Sequence, residues 1–274
     1  MYNRLICVSA NDTIAELSPE NGELSAMLGE FAEVCAADGR DAVTVSRTGG
    51  RSRFTAGSYC GFVCLADGTL IEILPRTDDG TADARKALCT ELCRRCGASF
   101  GPSGFDPEVN FMEFLIALFA GETMKIIKSG VLSTYTSREE NMNTVHGTIL
   151  FSENIRRNLV HRERIYVRHD VFTPDRAENR IIKAAAAMLL KLTASSHSSH
   201  LLMEALSYLD EVKVPHDVTA EFAKCMNTRN TKKYSVVLNI CRMLFDRSEG
   251  TSFSGKFVQC AQLYKMDNEQ KVRT

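Results

Sequence analysis

Apolar residues between Gly22 and Ala37 recur at Leu24, Met27, Leu28, Phe31 and Val34, a spacing of three and four that puts them on one face of a helix. The period then shortens. Residues 42–46, 53–55, 59–65 and 70–74 are short β-prone runs separated by Gly49-Gly50, Gly57-Ser58 and Asp67-Gly68, so they read as strands joined by turns. Asp67-Gly68 is the strongest hairpin signal, because such a pair readily takes the positive φ angles of a tight turn. A second helix starts in the acidic, small-residue run 77–83 and ends near Gly97, and Gly101-Pro102-Ser103-Gly104 breaks the chain. Helical spacing dominates thereafter, over 111–128, 175–193, 200–209, 218–226 and 233–246. Between the first two of these lies a β-prone insertion. Residues 131–136 and 144–151 are expected to pair as a hairpin across the polar tip 137–143, with 165–171 as a third strand.

These readings predict an α+β fold. Residues 1–97 form an N-terminal β-rich, barrel-like module with two helices, 98–109 a linker, and 110–274 a mainly helical module with an inserted β-hairpin. Composition adds exclusions. The 33 basic and 34 acidic residues leave a formal net charge of −1, so there is no global polycation to hold nucleic acid through its phosphates. The N-terminus lacks a basic region followed by an apolar run, and no stretch approaches the roughly 20 apolar residues that span a bilayer. A cytoplasmic protein with no membrane contact is expected. The ten cysteines are then reduced thiols, and Cys7, Cys35, Cys60, Cys64, Cys225, Cys241 and Cys260, set among apolar neighbours, are expected to act as small hydrophobes.

Four patterns invite a chemical reading. Cys89, Cys93 and Cys96 have the spacing by which radical-SAM enzymes hold an iron–sulfur cluster, but cluster ligands need a wrapping loop. Residues 84–96 contain neither Gly nor Pro, so the thiols fall on one helical stripe, as core residues do. Pro174-Asp175 with Glu211-Val212-Lys213 imitates the PD…(D/E)xK signature of metal-dependent nucleases, whose carboxylates hold Mg²⁺. That chemistry needs adjacent strands, whereas Thr173 or Asp175 reads as a helix N-cap and Lys213 precedes Pro215 in a loop. Glu269-Gln270-Lys271 is a weaker imitation. His197 and His200 have no further ligands nearby and read as a polar helix start. Arg156, Arg157, Arg162, Arg164 and Arg168, with His161 and His169, make the most basic stretch of the chain, which suits either phosphate contact or an ordinary solvated face.

Two passages resemble the McrC family. Gly57-Ser58-Tyr59-Cys60-Gly61-Phe62-Val63, continuing through Asp67-Gly68 to Ile71-Glu72-Ile73-Leu74-Pro75-Arg76, is similar to the family's "vGvi…dg..ieIlPK". Phe114-Leu115, Gly130 to Tyr135, Val145-His146-Gly147-Thr148-Ile149, and Asp175 with Asn179-Arg180-Ile181-Ile182-Lys183 resemble its order of a helix, "Gl…Y", "l.Gri" and "D…Nriik". Family members often carry arginine where this chain has Thr148. The resemblance runs from about residue 57 to about 266.

The resemblance implies a subunit of a methylation-dependent restriction system that binds a hexameric ring-forming AAA+ GTPase, the McrB component, and stimulates its GTP hydrolysis. GTP and Mg²⁺ then belong to the partner, this chain carries no cofactor, and DNA is contacted indirectly through the complex. The family's PD-(D/E)xK nuclease domain follows the matched region, and only Asp267 to Thr274 remain here, so no catalytic residue and no metal site are expected in this chain. Arg138, His146, Arg156 and Arg157 are the candidate partner-binding residues. Gly61, Pro75, Gly147, Asp175, Asn179 and Arg180 are assigned structural roles, the last three at a helix start. Two rivals stand beside this reading: a fragment of a nuclease subunit whose catalytic domain is missing or supplied by another chain, and a DNA-binding module acting through Arg156 to Arg168 without a GTPase.

Overall fold

The chain runs β1 (Arg4–Ser9), β2 (Thr13–Leu17), α1 (Gly22–Ala37), β3 (Val43–Thr48), β4 (Arg51–Ala56), β5 (Tyr59–Leu65), β6 (Thr69–Leu74) and α2 (Thr81–Cys96). It continues as α3 (Phe111–Lys128), β7 (Thr134–Met142), β8 (Thr148–Ile149), α4 (Phe151–Asn158) and β9 (Ile165–Thr173). Then come α5 (Ala177–Leu192), α6 (Ser196–Tyr208), α7 (Val218–Phe222), a 3₁₀ turn (Arg229–Tyr234), α8 (Ser235–Phe245), β10 (Ser252–Gly255) and β11 (Val258–Lys265). The structure is a computed structural model describing residues 2–17, 22–78, 80–99, 106–226, 228–245, 252–255 and 258–265.

The first sheet has the order β1-β6-β5-β11-β10. β5 and β6 pair as the expected Asp67-Gly68 hairpin, with Cys64 opposite Leu70. The loop is longer than two residues: Gly68 donates its N–H to the Leu65 carbonyl at 3.0 Å, and both Asp67 carboxylate oxygens accept from Thr69 at 2.8 Å. Every residue of β6 is buried, because both faces of the sheet are covered. Phe62 and Glu72 face α2 and α3, with the Phe62 and Phe111 rings 6.1 Å apart. Val63, Leu65, Ile71 and Ile73 lie in the same core cluster as Leu28, Phe31 and Phe54. A second sheet, β2-β4-β3, is closed at one end by the two-residue Gly49-Gly50 turn.

β11 pairs antiparallel with β5 (Ala261 opposite Val63), so both ends of the described chain meet in one sheet. Gly61 is needed there: a Cβ on it would lie 2.0 Å from the Gln262 carbonyl oxygen. The α+β class holds, but the sheets among the described residues are open, where a barrel-like module was expected.

The β-insertion differs from the expected hairpin. Residues 131–136 and 144–151 do not pair with each other; β7 and β8 both pair with β9, in the order β7-β9-β8. The anticipated polar tip, 137–143, mostly continues β7. Its charges find cross-strand partners instead of a turn: Glu139 accepts from Arg168 at 2.6 Å, and Glu140 lies 3.1 Å from His169. No residue from 133 to 176 belongs to the common hydrophobic core, so this sheet and α4 form a lobe with its own packing.

Candidate partner interface

The chain leaves the body for the lobe at Leu132 and returns at Pro174, and one buried amide holds both strands. Asn179, in the first turn of α5, donates to the Leu132 carbonyl at 2.9 Å and to the Pro174 carbonyl at 2.7 Å. Its Oδ1 accepts from the Tyr234 hydroxyl at 3.0 Å, and that hydroxyl accepts from the Leu132 N–H at 2.9 Å. Lys233 donates to Ser129 and to the Gly130 carbonyl, placing a cation at the C-terminus of α3, where the helix dipole favours it.

Asp175 does not cap α5 with its side chain, and Thr173 contributes only an acceptor for the Asp175 N–H at 3.2 Å; the N-cap is Arg176, without a side-chain cap. The carboxylate turns away because Arg180 takes it, at 2.6 and 2.9 Å. The Lys213 N–H also donates to it at 3.1 Å. The two halves of the nuclease-like pattern therefore do meet, but around an ion pair: the Arg180 guanidinium and the Lys213 backbone N–H take the acceptor sites of Asp175 that a Mg²⁺ ion would need. Lys183 donates to the carbonyls of Leu209, Asp210 and Val212, tying that loop to α5.

The hydrogen bond from Arg180 is the largest of the effects that hold the Asp175 carboxyl below its ordinary value of 3.8, against the opposing effect of burial. A depressed folded pKa stabilises the fold above the unfolded value, and that stability is lost as pH falls through the folded one. The stability gap between the chain and Asp175→Asn is therefore expected to be constant from pH 5 to 7 and to shrink below about pH 4 in urea titrations. A pH-independent gap would remove the ion pair from the account.

Within the lobe, Gly147 (φ 78°) lets the chain lie against β9, since a Cβ there would sit 2.3 Å from the Arg168 carbonyl oxygen. Arg138 is exposed on β7 opposite His169, and among the described residues it has no carboxylate partner. His146 is exposed in the loop before Gly147. Arg156 and Arg157 lie on α4, both paired with Glu153, at 3.1 and 2.9 Å. All four candidate contact residues thus sit on the lobe. Pro75 stands apart, just past the end of β6.

The basic stretch does not form one cationic patch. His161 and Arg164 face Glu163, and Arg168 faces Glu139, so most of its charge is answered locally. The lobe instead exposes apolar side chains that charge counting overlooked. Tyr135 and Phe172 form an exposed ring pair with centroids 5.0 Å apart, and Phe151, Ile155, Leu159 and Val160 are also exposed. The spacing 151, 155, 159 was readable as a helical stripe, but assigning 144–151 to a strand hid it.

Elsewhere the cysteine stripe is buried, with Cys89, Cys93 and Cys96 at most 3% exposed on α2, and desolvation pushes the Cys93 thiol up to about 11. Of the seven cysteines expected to act as small hydrophobes, five are buried, whereas Cys7 is exposed and Cys225 half-buried. His197 and His200 lie in the first turns of α6, whose N-cap Ser195 accepts from the Ser198 N–H. No helix among the described residues is long and apolar enough to cross a membrane. Glu269 to Lys271 and Gly101 to Gly104 lie outside the described residues.

The sequence profile of the McrBC 5-methylcytosine restriction system component family matches residues 54–268. The chain belongs to that family. Among solved structures, a chain of the cryo-EM structure of the Thermococcus gammatolerans McrBC complex is similar over 96% of this chain and 83% of its own, with 18% identity and a TM-score of 0.69. A chain of a refined half-complex, from a tetradecameric assembly of Thermococcus gammatolerans McrB AAA+ hexamers with bound McrC, is similar over 96% of this chain and 67% of its own, with 18% identity and a TM-score of 0.71. At that identity the likeness shows a shared fold. Among curated proteins no match was found. The McrBC-family match contains the whole lobe and its root at Asn179 and Tyr234.

Proposed function

We propose that this chain is the McrC-type subunit of a methylation-dependent restriction system, that its lobe docks onto a ring-forming McrB-type AAA+ GTPase, and that docking stimulates GTP hydrolysis. The observation that carries this reading is the lobe: residues 133–176 contribute nothing to the common core, yet they are anchored at their root through Asn179. A module that does not stabilise the body but is held rigidly to it suits contact with another molecule. Family membership supports the system, and the complex of McrB hexamers with bound McrC supports the partner. GTP and Mg²⁺ would be held by the partner. This chain would contribute polar groups such as Arg138, His146, Arg156 and Arg157, and a single inserted side chain that orders water or neutralises developing charge is worth orders of magnitude in rate.

Stimulation and DNA cleavage are expected to separate in this chain, because among the described residues no cluster of His, Cys, Asp or Glu is arranged to hold a metal. Mixed with its cognate GTPase, GTP, Mg²⁺ and methylated plasmid, the chain should raise phosphate release at least tenfold and leave the plasmid intact. Arg138→Ala should cut that stimulation severalfold. Complex formation without a change in GTP turnover would defeat the activator reading, and metal-dependent cutting lost in Glu211→Ala would revive the nuclease one.

A further inference from the structure

Helix α4 turns its polar side to the sheet it lies on. The buried Asn158 exchanges amide hydrogen bonds with Asn141 at 2.7 and 2.8 Å and donates to Asn154 at 2.8 Å. Asn154 accepts from the Tyr166 N–H at 2.8 Å, and the Arg157 guanidinium lies 4.6 Å from the centroid of the Tyr166 ring. The apolar side chains are left outside: Phe151, Ile155 and Leu159 are 69, 65 and 73% exposed, and the adjoining Val160 is 84% exposed. At about 100° per residue the first three form one continuous stripe, whose centre lies roughly 80° round the helix from that of the asparagines. Single exposed hydrophobes are ordinary, but a contiguous row on a helix that could have buried it marks a binding surface.

The ion pairs of this stretch leave only a residual positive charge around the stripe. Residues 151–164 carry four arginines against two glutamates, in a chain whose formal net charge is −1. We infer that this stripe docks into an apolar groove bordered by carboxylates on the partner GTPase, an inference that rests on the function proposed above. The mode is a helix in a groove, read by anchors at i, i+4 and i+8. The asparagine network holds α4 in place before docking, which lowers the ordering cost of association. A second copy of the chain would bring like-charged rims together, and a DNA backbone has no pocket for three large apolar side chains; neither suits this surface.

The full chain and the double variant Ile155→Ser/Leu159→Ser are titrated against the cognate McrB-type GTPase loaded with a non-hydrolysable GTP analogue. Circular dichroism and melting curves accompany each titration, together with a second variant, Phe151→Ser/Val160→Ser. Both variants should fold as the parent does and bind at least tenfold more weakly. Arg156→Glu should weaken binding severalfold and flatten its salt dependence. Parental binding with either double variant within twofold overturns the docking surface while leaving the proposed function standing. No binding by the parent chain removes both, and so registers as a different failure. Unchanged GTPase affinity combined with loss of self-association by light scattering, or of duplex DNA affinity, would reassign the stripe and overturn the inference.

Discussion

Glu72→Ala is expected to cost about 3–5 kcal/mol of folding stability, the range for removing one partner of a buried ion pair. Glu72 is 1% exposed and its partner Arg85 only 13%. Arg85 donates to the carboxylate through Nε and Nη2, at 3.0 and 2.8 Å to Oε2, and Glu72 Oε1 accepts the Phe111 N–H at 2.7 Å. One side chain on β6 thereby fixes both α2 and the first turn of α3 against the sheet. Alanine would leave a guanidinium with little solvent and an unmet N–H at a helix start, where a negative charge is otherwise favourable. Urea denaturation of the full chain measures the loss. Replacing both partners, as Glu72→Leu with Arg85→Met, should recover much of it, because an apolar pair leaves no charge behind. A cost below about 1 kcal/mol for Glu72→Ala would show that water reaches this pair in solution. The glutamate belongs to the Ile71-Glu72-Ile73-Leu74-Pro75 passage that resembles the family, which gives a packing reason for an acid in an apolar strand.

Local signals in the sequence were strongest where one residue type has one physical use. Gly49-Gly50 and Asp67-Gly68 marked hairpins because few other pairs tolerate the backbone required, and the stripe of Cys89, Cys93 and Cys96 marked a packed helix face. β11 was not foreseen: Gln259 and Gln262 interrupt its apolar pattern, and its partner β5 lies far back in the sequence, with Gly61 opposite Leu263. Such pairing is a property of the fold and leaves no periodicity behind. The lobe was misread for a related reason. β7 (TYTSREENM) is exposed along most of its length, so it lacks the alternation that half-burial imposes, and a polar run reads as a turn. α4 was hidden by the strand assigned over 144–151, which took in Phe151, the first residue of its apolar stripe. Of the candidate residues, Asn179 and Arg180 were placed at a helix start by the helical spacing of 175–193 together with the family pattern. That one amide joins both strands of the lobe root required the coordinates.

That root is where a small change should have a large functional effect. Asn179→Ala removes donors to the Leu132 and Pro174 carbonyls and leaves the Tyr234 hydroxyl without its acceptor. Two lost hydrogen bonds and an orphaned buried hydroxyl add up to roughly 2–4 kcal/mol, with a melting temperature lower by roughly 2–4 °C per kcal/mol. The lobe itself should survive, because the β7-β9-β8 ladder and the Asn141–Asn158 pair are internal to it. What is lost is its fixed direction. Amide exchange should therefore quicken around residues 131–133 and 174–178 while residues 137–141 and 166–170 stay protected, a pattern that general unfolding would not produce. If the lobe is the docking element, a loosened root raises the concentration needed for half-maximal GTPase stimulation without altering α4, since ordering a mobile module on binding costs free energy that a rigid one does not. Tyr234→Phe, which removes the bridge to Leu132 but leaves Asn179 in place, should give a smaller effect of the same kind. Uniform loss of protection across β7 and β9 in Asn179→Ala would show that lobe and root fold as one unit, and unchanged exchange at 131–133 would show that Asn179 is not what holds the lobe.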